Sequence, residues 1–239
     1  MSKKWELPDN LATPLAVILG AIIIAGAVWF SGGKIPSPAN GNHAVGVQPV
    51  VAVDSSKVIT AGEPFIGQAD APLTIAYWYD YQCPFCHQNE ETVMGPLIQD
   101  YVNTGKVRII FKDNAFLGPD STKLALLSRA VWEIAPDKFY AWHKAIFDHQ
   151  GQENSGWATD GLVLSLSSDV LGTSTAEQVV LQAAKKSSTY QVMIDADRNE
   201  AQSLGISGTP ALIIGHTLVP GALPYAQIKA DVEAALAGK

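Results

Sequence analysis

The two cysteines of this chain, Cys83 and Cys86, are separated only by Pro84 and Phe85, and no other feature of the sequence restricts the fold as tightly. A run rich in aromatic and β-branched residues, Leu73 to Tyr79, leads into the pair and reads as a buried strand. Beyond it, Val93, Met94, Leu97, Ile98, Tyr101 and Val102 recur at helical spacing. A Cys-x-x-Cys between a strand and a helix start reads as a dithiol redox site. There the first cysteine meets unpaired backbone N–H groups and the positive end of the helix dipole. Such a position lowers a cysteine pKa from about 8.5 to between roughly 3.5 and 7.5. As a structural staple the pair is poor, because it closes a very short loop. With both cysteines in one motif, none is left for a disulfide framework.

The N-terminal part has a different character. Leu11 to Phe30 is a twenty-residue run without a charge. As a helix it matches a bilayer core of about 30 Å. Lys3 and Lys4 precede it and Lys34 follows, a bias that places residues 1–10 in the cytoplasm and the rest outside. A cleaved signal peptide ending near Ala25-Gly26-Ala27 is the competing reading, although the apolar run continues past that point. Both readings export the following domain. Residues 31–57 are rich in Gly, Pro, Ser and Asn and are expected to form a flexible linker, within which Val50–Val53 either adds an edge strand or lies along the domain. The compact domain is expected over 58–239. The net charge of −7 and the lack of a basic patch argue against nucleic acid as a partner.

The rest of the chain supplies a frame for the motif. Pro96 is expected to kink the helix after Cys86, and Val107 to Phe111 reads as a strand parallel to the first. A long helical region follows. Leu124, Leu127, Val131 and Ile134 mark one face, Phe139, Trp142, Ile146 and Phe147 a second, and Leu162 to Leu171 a further segment. Tyr190, Met193, Ile194, Asp197, Ala201 and Leu204 form a last stripe, on which Asp197 is either at the edge or paired. Ala211–Ile214 and Thr217–Val219 read as a hairpin about Gly215-His216, and Tyr225 to Ala237 as a closing helix. The expected fold is α/β, a small mixed sheet covered by helices on both faces.

Three stretches then resemble one family. Gly67-Gln68-Ala69-Asp70-Ala71-Pro72-Leu73-Thr74-Ile75, Asp80-Tyr81-Gln82-Cys83-Pro84-Phe85-Cys86, and Ala201 with Leu204-Gly205-Ile206-Ser207-Gly208-Thr209-Pro210-Ala211 are similar to the corresponding parts of DsbA-like thiol:disulfide oxidoreductases of the thioredoxin superfamily. The resemblance implies a thioredoxin fold with an inserted helical subdomain over about 115–200, here preceded by one transmembrane helix at 11–30. It implies Cys83 as the exposed nucleophile and Cys86 as its buried partner. Pro84 and Phe85 would tune the thiolate. Gly208, Thr209 and Pro210 would form the cis-proline loop that meets an extended substrate. No cofactor beyond the Cys83–Cys86 disulfide and no metal are expected.

Two positions depart from the family's pattern. Phe85 stands where the strongest oxidants carry histidine, which implies a higher Cys83 pKa and a less oxidising couple. Tyr77 stands where the family often has a buried acid, six positions before the first cysteine. Asp80 is expected at the surface or in a turn, and the roles of Lys112 and Asp113 are open. The implied activity is a dithiol oxidase acting on cysteine-containing exported polypeptides, re-oxidised by a quinone-linked membrane partner of the DsbB-like or VKOR-like kind. A reductase or isomerase on the same fold is the alternative. A remote one is a c-type haem carrier, since Cys83-Pro84-Phe85-Cys86-His87 has the attachment pattern, with Met94 or Met193 as second ligand. His143 and His149 do not share a helical face well, so zinc is not expected.

Overall fold

The computed structural model describes residues 51–238. The expected tail, anchor and most of the expected linker lie outside them, and no helix among the described residues is long and apolar enough to cross a membrane. Among the described residues six strands form one sheet: β1 (Val51–Ala52), β2 (Phe65–Ile66), β3 (Leu73–Tyr79), β4 (Val107–Asp113), β5 (Ala211–Ile214) and β6 (Thr217–Pro220), in the order β1-β6-β5-β3-β4-β2. Of these pairings only β3 with β4 is parallel, joined through helix α1 (residues 84–102) as the βαβ pattern predicts. The other pairings are antiparallel. The sheet starts earlier than the expected boundary at 58, because Val51 pairs with Leu218 and Ala52 with Thr217. One ladder of two residue pairs ties this short edge strand to the hairpin, which its linker-like composition conceals.

Strand alternation sorts the core. Ile75, Tyr77 and Tyr79 of β3 face one side together with Val107, Ile109 and Phe111 of β4, while Ala76 and Trp78 face the other. Helix α1 (residues 84–102) and helix α7 (Tyr225–Ala237) pack on the first face through Val93, Met94, Leu97, Ile228 and Val232. Pro96 does not end α1. Instead the helix widens into π-helical turns at Glu90–Met94 and Ile98–Val102 around Gly95–Leu97. A proline lacks the N–H of the normal ladder, and a wider turn absorbs the loss. Gly67 carries a φ of 98° beside β4, and a Cβ there would stand 2.6 Å from the Val107 carbonyl oxygen. Only glycine allows the chain that approach before it turns into β3.

The helical insertion comprises α2 (Pro119–Ile134), α3 (Phe139–Asp148), α4 (Asp160–Leu171), α5 (Thr173–Lys185) and α6 (Ser187–Ser203). Helix α6 covers the second sheet face, where Ala201 and Leu204 pack with Trp78. Asp197 of α6 is paired, not marginal. Its Oδ1 accepts from Lys112 Nζ at 2.8 Å, and its Oδ2 accepts from the Asp113 backbone N–H at 2.9 Å and from Arg129 of α2. Lys112 also pairs with Glu200 at 2.7 Å and Glu63 at 3.2 Å. Arg129 reaches Asp113 at 2.6 Å and Glu63 at 2.7 Å. Burial pushes the Glu63 carboxyl up to about 7 against the pull of Arg129. Burial alone would lower Lys112, but Asp197 and Glu63 hold it above its usual value.

Removing one partner of a buried ion pair strands the other charge away from water. Asp197→Asn is expected to lower stability by about 3–5 kcal/mol in urea unfolding. By contrast, Asp148→Asn, which breaks an exposed pair with Lys144, should cost less than about 0.5 kcal/mol. Equal effects for the two variants would show that the buried network adds nothing special.

Candidate active site

The site is assembled where the carboxyl end of β3 meets the amino end of β5. Trp78 stands opposite Ala211 in the antiparallel register, so the residue before Ala211 lies against the turn that follows β3. That residue is Pro210, and the Thr209-Pro210 peptide is cis. Cys83 caps helix α1 with extended backbone angles, φ −74° and ψ 118°, and Pro84 occupies the first helical position. A missing N–H costs little there and the fixed φ suits the helix. The Cys86 and His87 N–H groups donate to the Cys83 carbonyl at 3.0 and 3.2 Å.

The two sulfurs sit in unlike surroundings. Cys83 is 5% exposed and Cys86 fully buried, both as free thiols. The Cys86 thiol, by hydrogen bonding to Cys83, is the main influence holding the Cys83 thiol down at about 6, against the opposing effect of burial; Thr209 and the backbone N–H groups of Cys86 and Phe85 add to it. The sequence assigned the lowering to the helix start, whereas the partner sulfur contributes most. Burial pushes Cys86 well above its usual value, and the neighbouring Cys83 adds to that. Cys83 Sγ lies 3.3 Å from the Thr209 carbonyl oxygen, while the Thr209 Oγ1 is buried and without a partner among the described residues.

Phe85 is 60% exposed, so it presents a ring beside Cys83 without a polar contact to its sulfur. Pro84 is exposed as well. Gly208 has open space where a Cβ would stand, which leaves the approach to Thr209 unobstructed. The structure thus brings Cys83, Cys86, Thr209 and Pro210 together, with Pro84, Phe85 and Gly208 at the rim.

Asp80 does lie in a turn, with its carbonyl accepting from the Cys83 N–H at 3.0 Å, but it is buried rather than at the surface. Its Oδ1 accepts from the Gln82 N–H and Ser121 Oγ, and its Oδ2 from the N–H groups of Phe116 and Leu117. Four donors replace the water the carboxylate gives up, which is why it tolerates burial. The Gln82 side chain adds bonds to the Leu117 carbonyl and to Ser121, and Gln150 donates to the carbonyls of Tyr81 and Cys83. The insertion therefore fixes the cysteine turn from both sides.

Sequence reasoning missed a buried polar group on α1 and α3. Glu90 and His143 are buried, with His143 Nε2 3.2 Å from Glu90 Oε1 and His143 Nδ1 3.0 Å from the Tyr81 hydroxyl. A signal existed for both. Glu90 stands one helical turn after Cys86, and His143 falls between Phe139 and Phe147 on the apolar stripe of α3. The haem ligands proposed from sequence are not brought together. His87 pairs with Glu91 on the surface of α1, Met94 is in the core on the first sheet face, and Met193 is 37% exposed on α6 over the second.

Fold and site together define a class: dithiol enzymes in which a thioredoxin fold carries a helical insertion. A family model described as thioredoxin matches residues 60–234, and the chain belongs to that family. Disulfide bond formation protein D of Bacillus subtilis is 28% identical over 199 residues, covering 83% of this chain and 84% of that protein. The crystal structure of oxidised BdbD from Bacillus subtilis is similar at 25% identity and a TM-score of 0.66, covering 79% of this chain and 98% of that one. The catalytic domain of Proteus mirabilis ScsC is similar at 25% identity and a TM-score of 0.61, over 77% of this chain and 94% of that one. The chain is a protein thiol–disulfide oxidoreductase.

A hydrogen bond to a charged group is worth about 1.5–3 kcal/mol, and 1.36 kcal/mol is one pKa unit. The Thr209 hydroxyl, unpartnered beside the thiol, would donate to a Cys83 thiolate, so Thr209→Val is expected to raise the Cys83 pKa by about one unit from its value near 6. Thiolate absorbance followed against pH measures it, and an unchanged midpoint would remove Thr209 from the account.

Proposed function

We propose that this chain is a dithiol oxidase that introduces disulfides into exported, cysteine-containing polypeptides, with Cys83 as nucleophile and Cys86 as resolving cysteine. The single observation that carries this reading is the asymmetry of the two thiols: one favoured as a thiolate near pH 6, the other buried and held protonated. In the oxidising direction a substrate thiolate attacks Cys83 Sγ of the Cys83–Cys86 disulfide. The bond to Cys86 breaks, and Cys86 takes the electron pair and then a proton. A second substrate thiolate attacks the substrate sulfur of the mixed disulfide, and Cys83 leaves as a thiolate. The substrate has gained one disulfide and the enzyme both electrons. A stabilised Cys83 thiolate is the better leaving group, which favours this direction.

Thr209 and Pro210, with Gly208 leaving room before them, would receive an extended substrate segment alongside β5, and Pro84 and Phe85 would shape the approach to Cys83. The reaction needs no cofactor other than the cysteine pair. Residues 11–30 would anchor the chain, with 1–10 in the cytoplasm, 31–50 as tether and the catalytic domain on the extracytoplasmic side, where disulfides persist. Re-oxidation would fall to a quinone-linked membrane protein of the DsbB-like or VKOR-like kind, and tethering would raise the local concentration of the two.

A Cys83 pKa of about 6 lies between the roughly 7 of thioredoxin and the roughly 3.5 of the strong oxidant DsbA. The redox potential of the Cys83–Cys86 pair is accordingly expected between about −270 and −120 mV. Titration against glutathione measures it, and a value at or below the lower limit would turn the assignment to reductase. Cys83→Ser should abolish exchange with a reduced, cysteine-containing substrate. Surviving activity would show that Cys83 is not the nucleophile.

A further inference from the structure

The backbone of Cys83 is tied at both of its polar groups. Its N–H donates to the Asp80 carbonyl at 3.0 Å, and its carbonyl accepts from the Cys86 and His87 N–H groups at 3.0 and 3.2 Å. These ties stay within the turn and the start of α1. The Cys83 carbonyl takes one more donor, Gln150 Nε2 at 3.1 Å. Among the described residues it is the one tie on the Cys83 backbone that reaches beyond residues 80–87. The same nitrogen donates to the Tyr81 carbonyl at 2.7 Å. Tyr81 is buried, and no other donor among the described residues meets its carbonyl. A primary amide nitrogen carries two hydrogens, so one side chain serves both carbonyls, and the two oxygens in front of it fix which way the amide faces.

Gln150 is itself held in place. It follows the end of α3, with its N–H on the Phe147 carbonyl at 2.9 Å. At the next residue the chain passes so close to Trp157 that a Cβ on Gly151 would stand 2.4 Å from the Trp157 Cβ. Further along, Asn154 is the one non-glycine residue with a left-handed backbone among the described residues, at φ 58°. Asparagine tolerates that conformation better than most side chains. There its N–H donates to Gln82 Oε1 at 2.9 Å. One loop of the insertion, residues 149–157, thus grips the successive residues Tyr81, Gln82 and Cys83. Of these, only Cys83 has a side chain that reacts, and Gln150 is what reaches it.

We propose that Gln150 is a positioning residue for thiol–disulfide exchange, holding the Cys83 backbone so that the reactive sulfur stays between the start of α1 and the Thr209 loop. Cys83 Sγ lies 3.3 Å from the Thr209 carbonyl oxygen, and the backbone N–H groups of Cys86 and Phe85 favour its thiolate. Both relations depend on where the Cys83 backbone stands, because the sulfur sits on a short side chain and moves with it. Exchange also requires the substrate sulfur, Cys83 Sγ and Cys86 Sγ to come into line, and a fixed Cys83 spares the entropy of arranging them. Gln150 bonds to carbonyl oxygens and to neither sulfur, so it acts through Cys83 and not on the substrate. Its reach matters as well as its chemistry. Asparagine carries the same amide on a shorter stem, and a carboxylate at this place would turn acceptors towards acceptors.

This inference rests on the dithiol reading of Cys83 and Cys86, and the test keeps the two apart. Gln150→Met preserves the length of the side chain and removes both donors. Gln150→Asn preserves the amide and shortens its reach, so it decides the matter where Gln150→Met folds poorly. In the full chain, thiolate absorbance followed against pH should show the Cys83 midpoint moving up from about 6 by on the order of half a unit in Gln150→Met. The equilibrium constant for reduction by glutathione should fall on the order of threefold at neutral pH, because a less stabilised thiolate makes a weaker oxidant. Gln150→Asn should move both quantities the same way. A merely structural role would lower the urea stability of the dithiol and disulfide forms equally and leave the midpoint and the glutathione equilibrium as they are in the unaltered chain. That outcome in either folded variant, or a midpoint that moves down, would overturn the proposal. An unaltered chain with no thiolate transition near pH 6 and no exchange with glutathione would overturn the dithiol reading instead.

Discussion

The architecture turns on a charge cluster that water does not reach. Lys112 and Arg129 meet Glu63, Asp113, Asp197 and Glu200 at the carboxyl end of the central strands. Strand alternation sets the geometry. Lys112 faces the same side of the sheet as Trp78, toward α6, while Asp113 faces the side of Tyr79. Arg129, arriving on α2, joins the two. One cluster thus binds the sheet, the approach to β2 and two helices of the insertion. Helix α6 runs directly on through Leu204 and Ile206 to the Thr209-Pro210 loop, so the loop's placement against Cys83 inherits the position of Asp197. Hydrophobic packing alone would allow α6 to slide along the second sheet face. Directional contacts at a buried site do not.

At the cysteine turn the fold treats neighbouring groups in opposite ways. Asp80 receives four donors and becomes an inert buckle between the turn and the insertion. Cys83 is given a thiol partner and the Thr209 loop, while Cys86, a single helical turn away, receives none of the solvent that would stabilise its charge. Glu90 and Tyr77 keep unused hydrogen-bonding capacity. Fixed groups hold the frame, and others near the cysteine motif are left partly satisfied.

Much of this was legible in the chain. An aromatic and β-branched run placed β3, a short apolar run placed β4, the cysteine spacing located the turn, and Gly208-Thr209-Pro210 marked the opposing loop. Burial of Asp80 was not legible, because its donors at Phe116, Leu117 and Ser121 come from a loop and helix far along the chain. The same applies to the ion cluster, whose members run from Glu63 to Glu200 with no local pattern relating them. Pro96 marked the disturbed stretch of α1 but not its form: the missing N–H is absorbed by π turns at Glu90–Met94 and Ile98–Val102. The early start of the sheet escaped because Val51–Ala52 owes its conformation to β6 rather than to its neighbours in sequence.

A thiol held near pKa 6 inside the fold returns to an ordinary value once the chain unfolds. Cys83 therefore contributes stability to the native dithiol that is full only above its ordinary thiol value and is lost as pH falls from there through about 6, while the raised Cys86 thiol takes stability away at alkaline pH. The disulfide form has no thiolate and no such gain. On the proposed reading, the protein carries its disulfide in its less relaxed state and settles into the firmer fold on handing it over. The driving force for the transfer would then be stored in the enzyme's own native structure, and an acidic environment would slacken it.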